Sequence, residues 1–248
     1  MKRYKWLLGC CLFLSIGMLW AADEPDLRML QQKAAQSRDM EGYVGVCKYL
    51  CQTEENPELL LLYADSIHQL ATKSKKPEQL VEYYIWASEG NFIKGDFQQG
   101  YALKRKAIAL AEKAGLKFAI SQSCCDMGYY CNVDARYDSA RYYFRKGLEA
   151  GEDLSEAGEA CRTMLTNYAS SFLFEGKTDS ALVYTIRASE RSAADKDTAM
   201  LIENLNQLGT IYRRKKDLEN CIANFEQALH LCELRGNHNA VAFIYGNI

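Results

Sequence analysis

Four stretches of this chain, beginning at Val81, Ser121, Arg162 and Ile202, carry small residues at the same three places. No other feature constrains the fold so tightly. The eighth residues are Ser88, Gly128, Ala169 and Gly209, the twentieth are Gly100, Ala140, Ala181 and Cys221, and the twenty-seventh are Ala107, Gly147, Ala188 and Ala228. Gly, Ala, Ser and Cys make up only about a quarter of the chain, so this agreement marks an internal repeat, spaced 40, 41 and 40 residues. A unit of that length holds two helices and two short turns. Two antiparallel helices nest tightly only where the residues at their crossing lack bulk, and the next pair must stack on the same surface. After Pro77 no proline interrupts a helix.

Earlier in the chain, Pro25, Pro57 and Pro77 each stand beside acidic residues, as at a helix start. Leu59, Leu60, Tyr63, Ile67 and Leu70 follow at helical spacing. Residues 23–80 are therefore expected to be helical, possible degenerate repeats that do not align with the later units. Residues 1–22 read as an export signal: Lys2, Arg3 and Lys5 precede an apolar stretch from Trp6 to Trp20, and Ala21-Ala22 lead into Asp23-Glu24. This predicts an exported protein, periplasmic or anchored facing the periplasm. Leu7-Leu8-Gly9-Cys10 matches a lipoprotein box only loosely, because the apolar run continues past Cys10. Loss of the three signal cations takes Lys+Arg from 30 to 27 against 32 Asp+Glu, a balance near −5 that argues against nucleic acid as a partner.

Cys125 to Gly151 and Leu205 to Gly236 resemble tetratricopeptide repeats, through Leu208-Gly209 and Tyr212 in a first helix and Phe225 and Ala228 in a second. Thr166 to Ser189 is similar, and Tyr83 to Gly115 is a looser relative. The resemblance covers residues 81–248, with units from 81, 121, 162 and 202 and an incomplete one from 242. It implies an all-α fold, a right-handed α-solenoid of stacked antiparallel helix pairs, in a long-repeat form where Gly115, Gly151 and Gly236 end second helices. The fifth unit reaches only its seventh place at Ile248, so the sequence is expected to continue in a longer protein.

In the resembled family the first helices line a concave face. Carried onto these units, its partner-facing places hold Gln122, Tyr129, Thr163, Thr166, Asn167, Ser170, Glu203, Asn206, Gln207, Thr210 and Arg213. Most are neutral hydrogen-bonding side chains, suited to the backbone amides of an extended peptide. The cationic places of a carboxylate clamp hold Glu82, Ile85, Gln122, Cys125, Thr163, Thr166, Glu203 and Asn206, which argues against such a clamp. No catalytic signature appears, no cofactor is implied, and His68, His230 and His238 lack metal-ligand spacing. The eight cysteines beyond the signal, Cys124, Cys131 and Cys221 among them, are expected to be small packing residues. Arg213 to Lys216 could hold a phosphate or an acidic partner, though a solvated turn that complements a helix C-terminus explains the run more simply. The expectation is a non-catalytic scaffold of the cell envelope that binds a protein or peptide. The alternative is the extracytoplasmic sensor region of a transmembrane signalling protein, a histidine kinase or helix-turn-helix regulator, whose C-terminal part is missing here.

Overall fold

The computed structural model describes residues 27–53, 56–236 and 238–247. The export signal, Cys10 and the helix start expected at Pro25 lie outside them. Among the described residues the chain is all-helical, with no strand. The helices are α1 (Leu27–Ser37), α2 (Met40–Thr53), α3 (Pro57–Ser74), α4 (Pro77–Lys94), α5 (Phe97–Ala114), α6 (Lys117–Val133), α7 (Tyr137–Gly151), α8 (Gly158–Phe174), α9 (Thr178–Ala194), α10 (Thr198–Arg214), α11 (Leu218–Leu234) and α12 (His238–Tyr245). A short 3₁₀ turn, Ser155–Ala157, precedes α8. No described helix is long and apolar enough to cross a membrane.

From α3 onward the helices start at 57, 77, 97, 117, 137, 158, 178, 198, 218 and 238, so every step is 20 residues except the 21 between α7 and α8. The extra residue falls beside the 3₁₀ turn. Left-handed residues punctuate the other turns at the same interval: Lys75, Gly95, Gly115, Ala135, Gly176, Lys196, Lys216 and Gly236. A left-handed residue after the last turn lets its N–H reach back to orphaned helix carbonyls, as Lys75 N does to the Ala71 carbonyl at 2.9 Å. Gly115 and Gly236 play that part, as the sequence suggested. Gly151 does not: it is the last residue of α7, and Glu152 after it is right-handed. Side chains close several N-termini, with Asn56, Asp96, Asp197 and Asp217 accepting from backbone N–H groups of the first turn.

Two compact units of the described residues divide within α6, one up to Met127 and one from Gly128 on. In the first, consecutive helices α1 to α5 pack each on the next, around Val46, Leu50, Leu60, Ile67, Ile85, Trp86 and Leu103. In the second, α7 to α12 do the same, and one core gathers Ile202, Leu205, Leu208, Phe225, Leu229 and Ile244.

The repeated small residues have a specific cause. The twenty-fourth place of each unit, counted from the starts at 81, 121, 162 and 202, puts a buried knob on the second helix: Lys104, Phe144, Thr185 and Phe225. A Cβ added at Gly209 would stand 2.7 Å from Phe225 Cε1, and one at Gly128 would collide with the Phe144 ring. Glycine is needed at the eighth place because an aromatic ring lies flat on the first helix there. In the 77–114 pair the ring comes from the other helix, since a Cβ at Gly100 would meet Phe92 Cδ1 at 2.7 Å.

Lys104 is the exception among the knobs, an ammonium with no exposed surface. It pairs with Glu89 of α4 and, at 2.9 Å, with Asp126 of α6. Burial works against its charge, but Asp126 and Glu89 outweigh burial and raise its pKa.

Candidate functional site

The nominated face centres on α8 and α10 in the second unit. Three hydrogen bonds tie these helices together: Thr166 Oγ1 to Asn204 Oδ1 at 2.9 Å, Gln207 Nε2 to Ser170 Oγ at 2.7 Å, and Arg214 Nη1 to the Leu173 carbonyl at 2.9 Å. Both members of each pair advance together along the chain, so α8 and α10 run parallel. Helix α9 completes the set, since Asn204 Nδ2 donates to Ser192 Oγ at 3.1 Å and the Thr185 hydroxyl lies 3.0 Å from Gln207 Oε1. A buried polar ladder of this kind is favourable only when its members are satisfied, and these hold α8 to α10 in one register.

This ladder changes the standing of the nominated residues. Thr166 and Ser170 are 1% and 3% exposed and are part of the packing, not of a surface. Gln207 is half-buried, with both ends of its amide engaged by Ser170 and Thr185. Asn206 turns toward the end of α12, where its Oδ1 accepts from Asn247 Nδ2 at 2.9 Å, and Arg213 donates to the Asn247 carbonyl. The Thr210 hydroxyl bonds back to the Asn206 carbonyl at 3.1 Å. Tyr129, half-buried, meets Tyr130 edge-on. Gln122, also half-buried, belongs to the first unit.

Three nominated residues of the second unit keep unused capacity. Thr163, Asn167 and Glu203 are half-buried, and no described residue engages the side chain of any of them. Helix geometry puts them on one side. Thr166 and Asn204 point at each other across parallel helices, and each residue step turns a side chain by about 100°. One step forward from Thr166, to Asn167, and one step back from Asn204, to Glu203, therefore turn to the same flank. Thr163, three residues before Thr166, lies on that flank as well.

Asn132 of α6 reaches the same place from the other side. Its Nδ2 donates to the Asn167 carbonyl at 3.0 Å, while its Oδ1, on a residue only 8% exposed, accepts from no described residue. The positional rule that nominates the eleven also covers Asn132, the twelfth residue of its unit. It passes over Asn204, whose side chain bridges Thr166 and Ser192. Among the carboxylates here, Asp197 and Asp195 hold Arg162 at 2.8 and 3.2 Å. Burial, with Asp197 as the second cause, pushes the Glu203 carboxyl up to about 7.

The other chemical candidates resolve into packing. Arg213, Arg214 and Lys215 are engaged by Asn247, Leu173 and Asp179, which leaves exposed Lys216 as the one cation of the run without a described partner. Cys124, Cys131 and Cys221 are buried, and burial, with Glu82 as a lesser cause, pushes the Cys47 thiol up to about 12. His68 stacks on Tyr83 at 4.2 Å. Among the described residues no group of His, Cys, Asp or Glu could hold a metal ion.

No protein-family model matches the sequence, and no curated protein matches it. Solved structures do resemble it. BtubC (BKLC) from P. vanneervenii superposes with a TM-score of 0.68 at 12% identity, over 96% of this chain and 94% of that one. The apo form of RapI gives 0.66 at 9% identity, over 99% of this chain and 71% of RapI. PlcR of Bacillus thuringiensis, in complex with the peptide PapR7 and DNA, gives 0.56 at 14% identity, over 98% and 96%. At such identities the likeness is one of fold, and the fold is that of a tetratricopeptide-like helical repeat.

Proposed function

We propose that this chain is a non-catalytic scaffold that binds a peptide or protein segment in extended form on the α8–α10 flank. One observation carries the reading. A rigid, internally hydrogen-bonded helix set presents side chains whose bonding capacity the chain does not use: Thr163, Asn167, Glu203 and the buried Asn132 Oδ1. An extended segment brings a backbone donor and acceptor at every residue, each needing a partner once out of water. A preformed surface also spares the ligand the ordering cost that a flexible site would add.

PlcR, which shares the fold, is seen with both a peptide and DNA. Only the peptide half suits this chain, because its balance without residues 1–22 is 27 cations against 32 anions. The basic start and apolar run of residues 1–22 support export, so the proposed place of action is the cell envelope.

The test uses the full chain and a displayed library of random short peptides. Binders should be recovered above a blank surface, and Asn167→Ala should weaken the best of them by about threefold to tenfold, the value of one or two hydrogen bonds. The melting temperature should not move. Unchanged affinity would remove the flank from the binding site.

A further inference from the structure

We infer that Glu203 makes this flank selective for a segment carrying a cation, a Lys or Arg side chain or an α-ammonium group, which seats against the Glu203 carboxylate. The inference rests on the peptide-binding reading and deepens it. Its first ground is that, among the described residues of α8 to α10, Glu203 is the half-buried acid without a partner, whereas unpaired Glu159 and Glu190 are exposed. Asp195 and Asp197 are held by Arg162, Asp195 also by Arg191, Glu175 by Arg141 and Lys177, and Asp179 by Lys215. Among the described residues Glu203 has no hydrogen-bond or ion-pair partner, although it is half-buried.

The second ground is that the cations of α8 and α10 themselves are engaged elsewhere. Arg162 at the start of α8 and Arg213, Arg214 and Lys215 at the end of α10 all have acceptors elsewhere. A partly desolvated carboxylate without a counter-charge is a cost carried by the folded chain. A ligand cation removes that cost on binding, and a ligand anion would raise it, so one residue both attracts and rejects.

The third ground is the sign of the remaining capacity. Beside Asn167, Asn132 offers a buried and unpartnered acceptor, Oδ1, while its Nδ2 is already engaged. Glu203, when ionised, adds two more acceptor oxygens. Thr163 and Asn167 can donate as well as accept, so the flank's surplus is of acceptors, and it fits a ligand rich in N–H groups. Lys and Arg side chains and a free N-terminus are the peptide groups that supply several at once.

The experiment pans the same random library on the full wild-type chain and on Glu203→Gln. The wild type should return peptides enriched in Lys or Arg at one place, or binders that fail when their N-terminus is acetylated, which separates the two sources of charge. The best binder should lose about tenfold in Kd on Glu203→Gln, about 1.4 kcal/mol. Its analogue with the cation replaced by an uncharged isostere should bind both proteins equally. Binders without a required cation, or equal affinity for both proteins, would overturn the inference and leave peptide binding standing. Recovery of nothing above a blank surface would overturn both.

Discussion

Phe225 and Lys104 hold the same place in their helix pairs, and both are fully buried. They fill that place in opposite ways. Phe225 does it by shape, lying so close to α10 that only glycine fits beneath it at position 209. Lys104 does it by charge, with Glu89 on the preceding helix and Asp126 on the following one. Shape needs one accommodating residue on one neighbour and brings dispersion contacts without desolvating a charge. Charge needs two acids placed on two neighbours, and its net stabilisation is small because three ionic groups leave water together. The aromatic knob therefore stabilises its own helix pair, whereas the lysine knob makes three helices depend on one another.

The largest effect should come from removing the charged knob. Lys104→Ala leaves Glu89 and Asp126 facing each other with no counter-ion, a loss of about 3 to 5 kcal/mol by urea unfolding. Phe225→Ala should lose a similar amount through its cavity. The two differ in pH dependence. Below about pH 4 carboxylic acids become neutral, so the Lys104→Ala deficit should shrink there while the Phe225→Ala deficit stays. Parallel curves for the two variants would show that Lys104 is held by its hydrocarbon stem and not by charge.

The next effect is smaller and tests the shape side. Gly209→Ala puts a methyl group against the Phe225 ring and should cost about 1 to 3 kcal/mol, reduced by up to about 1 kcal/mol from alanine's better helix propensity. Adding Phe225→Leu should restore part of the loss, because the two sites share one contact. Strict additivity in that double-mutant cycle would break the link between the eighth and twenty-fourth places.

The same contrast explains what the sequence could show. Small residues at the eighth, twentieth and twenty-seventh places reflect a size limit, which every unit obeys in the same letters, so the helix pairs were legible. The knob that imposes the limit is Lys, Phe, Thr and Phe in turn, and no alphabet of sizes or charges connects those four. Helix α3 starts one full step before α4 yet carries Leu60, Ala64 and Ile67, large residues around a small one, where later second helices carry the reverse. Its place in the 20-residue rhythm was therefore invisible to a search for small residues. Half of the left-handed turn residues are Lys or Ala, which hid the rhythm again. At the site, position along a helix gave direction but not reach. Thr166 and Ser170 do point from α8 toward the nominated side, but Asn204 and Gln207 arrive from α10 and engage them. Thr163, Asn167 and Glu203 stay available because no side chain of the next helix meets them.

Thr185 is the intermediate case between ring and ammonium, and it carries the smallest expected effect. Its hydroxyl lies 2.8 Å from the Ala181 carbonyl and 3.0 Å from Gln207 Oε1, and the residue has no exposed surface. Thr185→Val keeps the shape and removes the polar contact. The Ala181 carbonyl still has its helical partner, and half-buried Gln207 can turn its oxygen toward water, so the loss should be about 1 kcal/mol by urea unfolding. A loss that small, beside the much larger one for Lys104→Ala, would mean that a polar knob matters in proportion to how many helices it joins and how little water reaches its partners. A loss as large as that of Lys104→Ala would place Thr185 with the charged knob, and Gln207 would then be as dependent on its partner as Glu89 and Asp126 are on theirs.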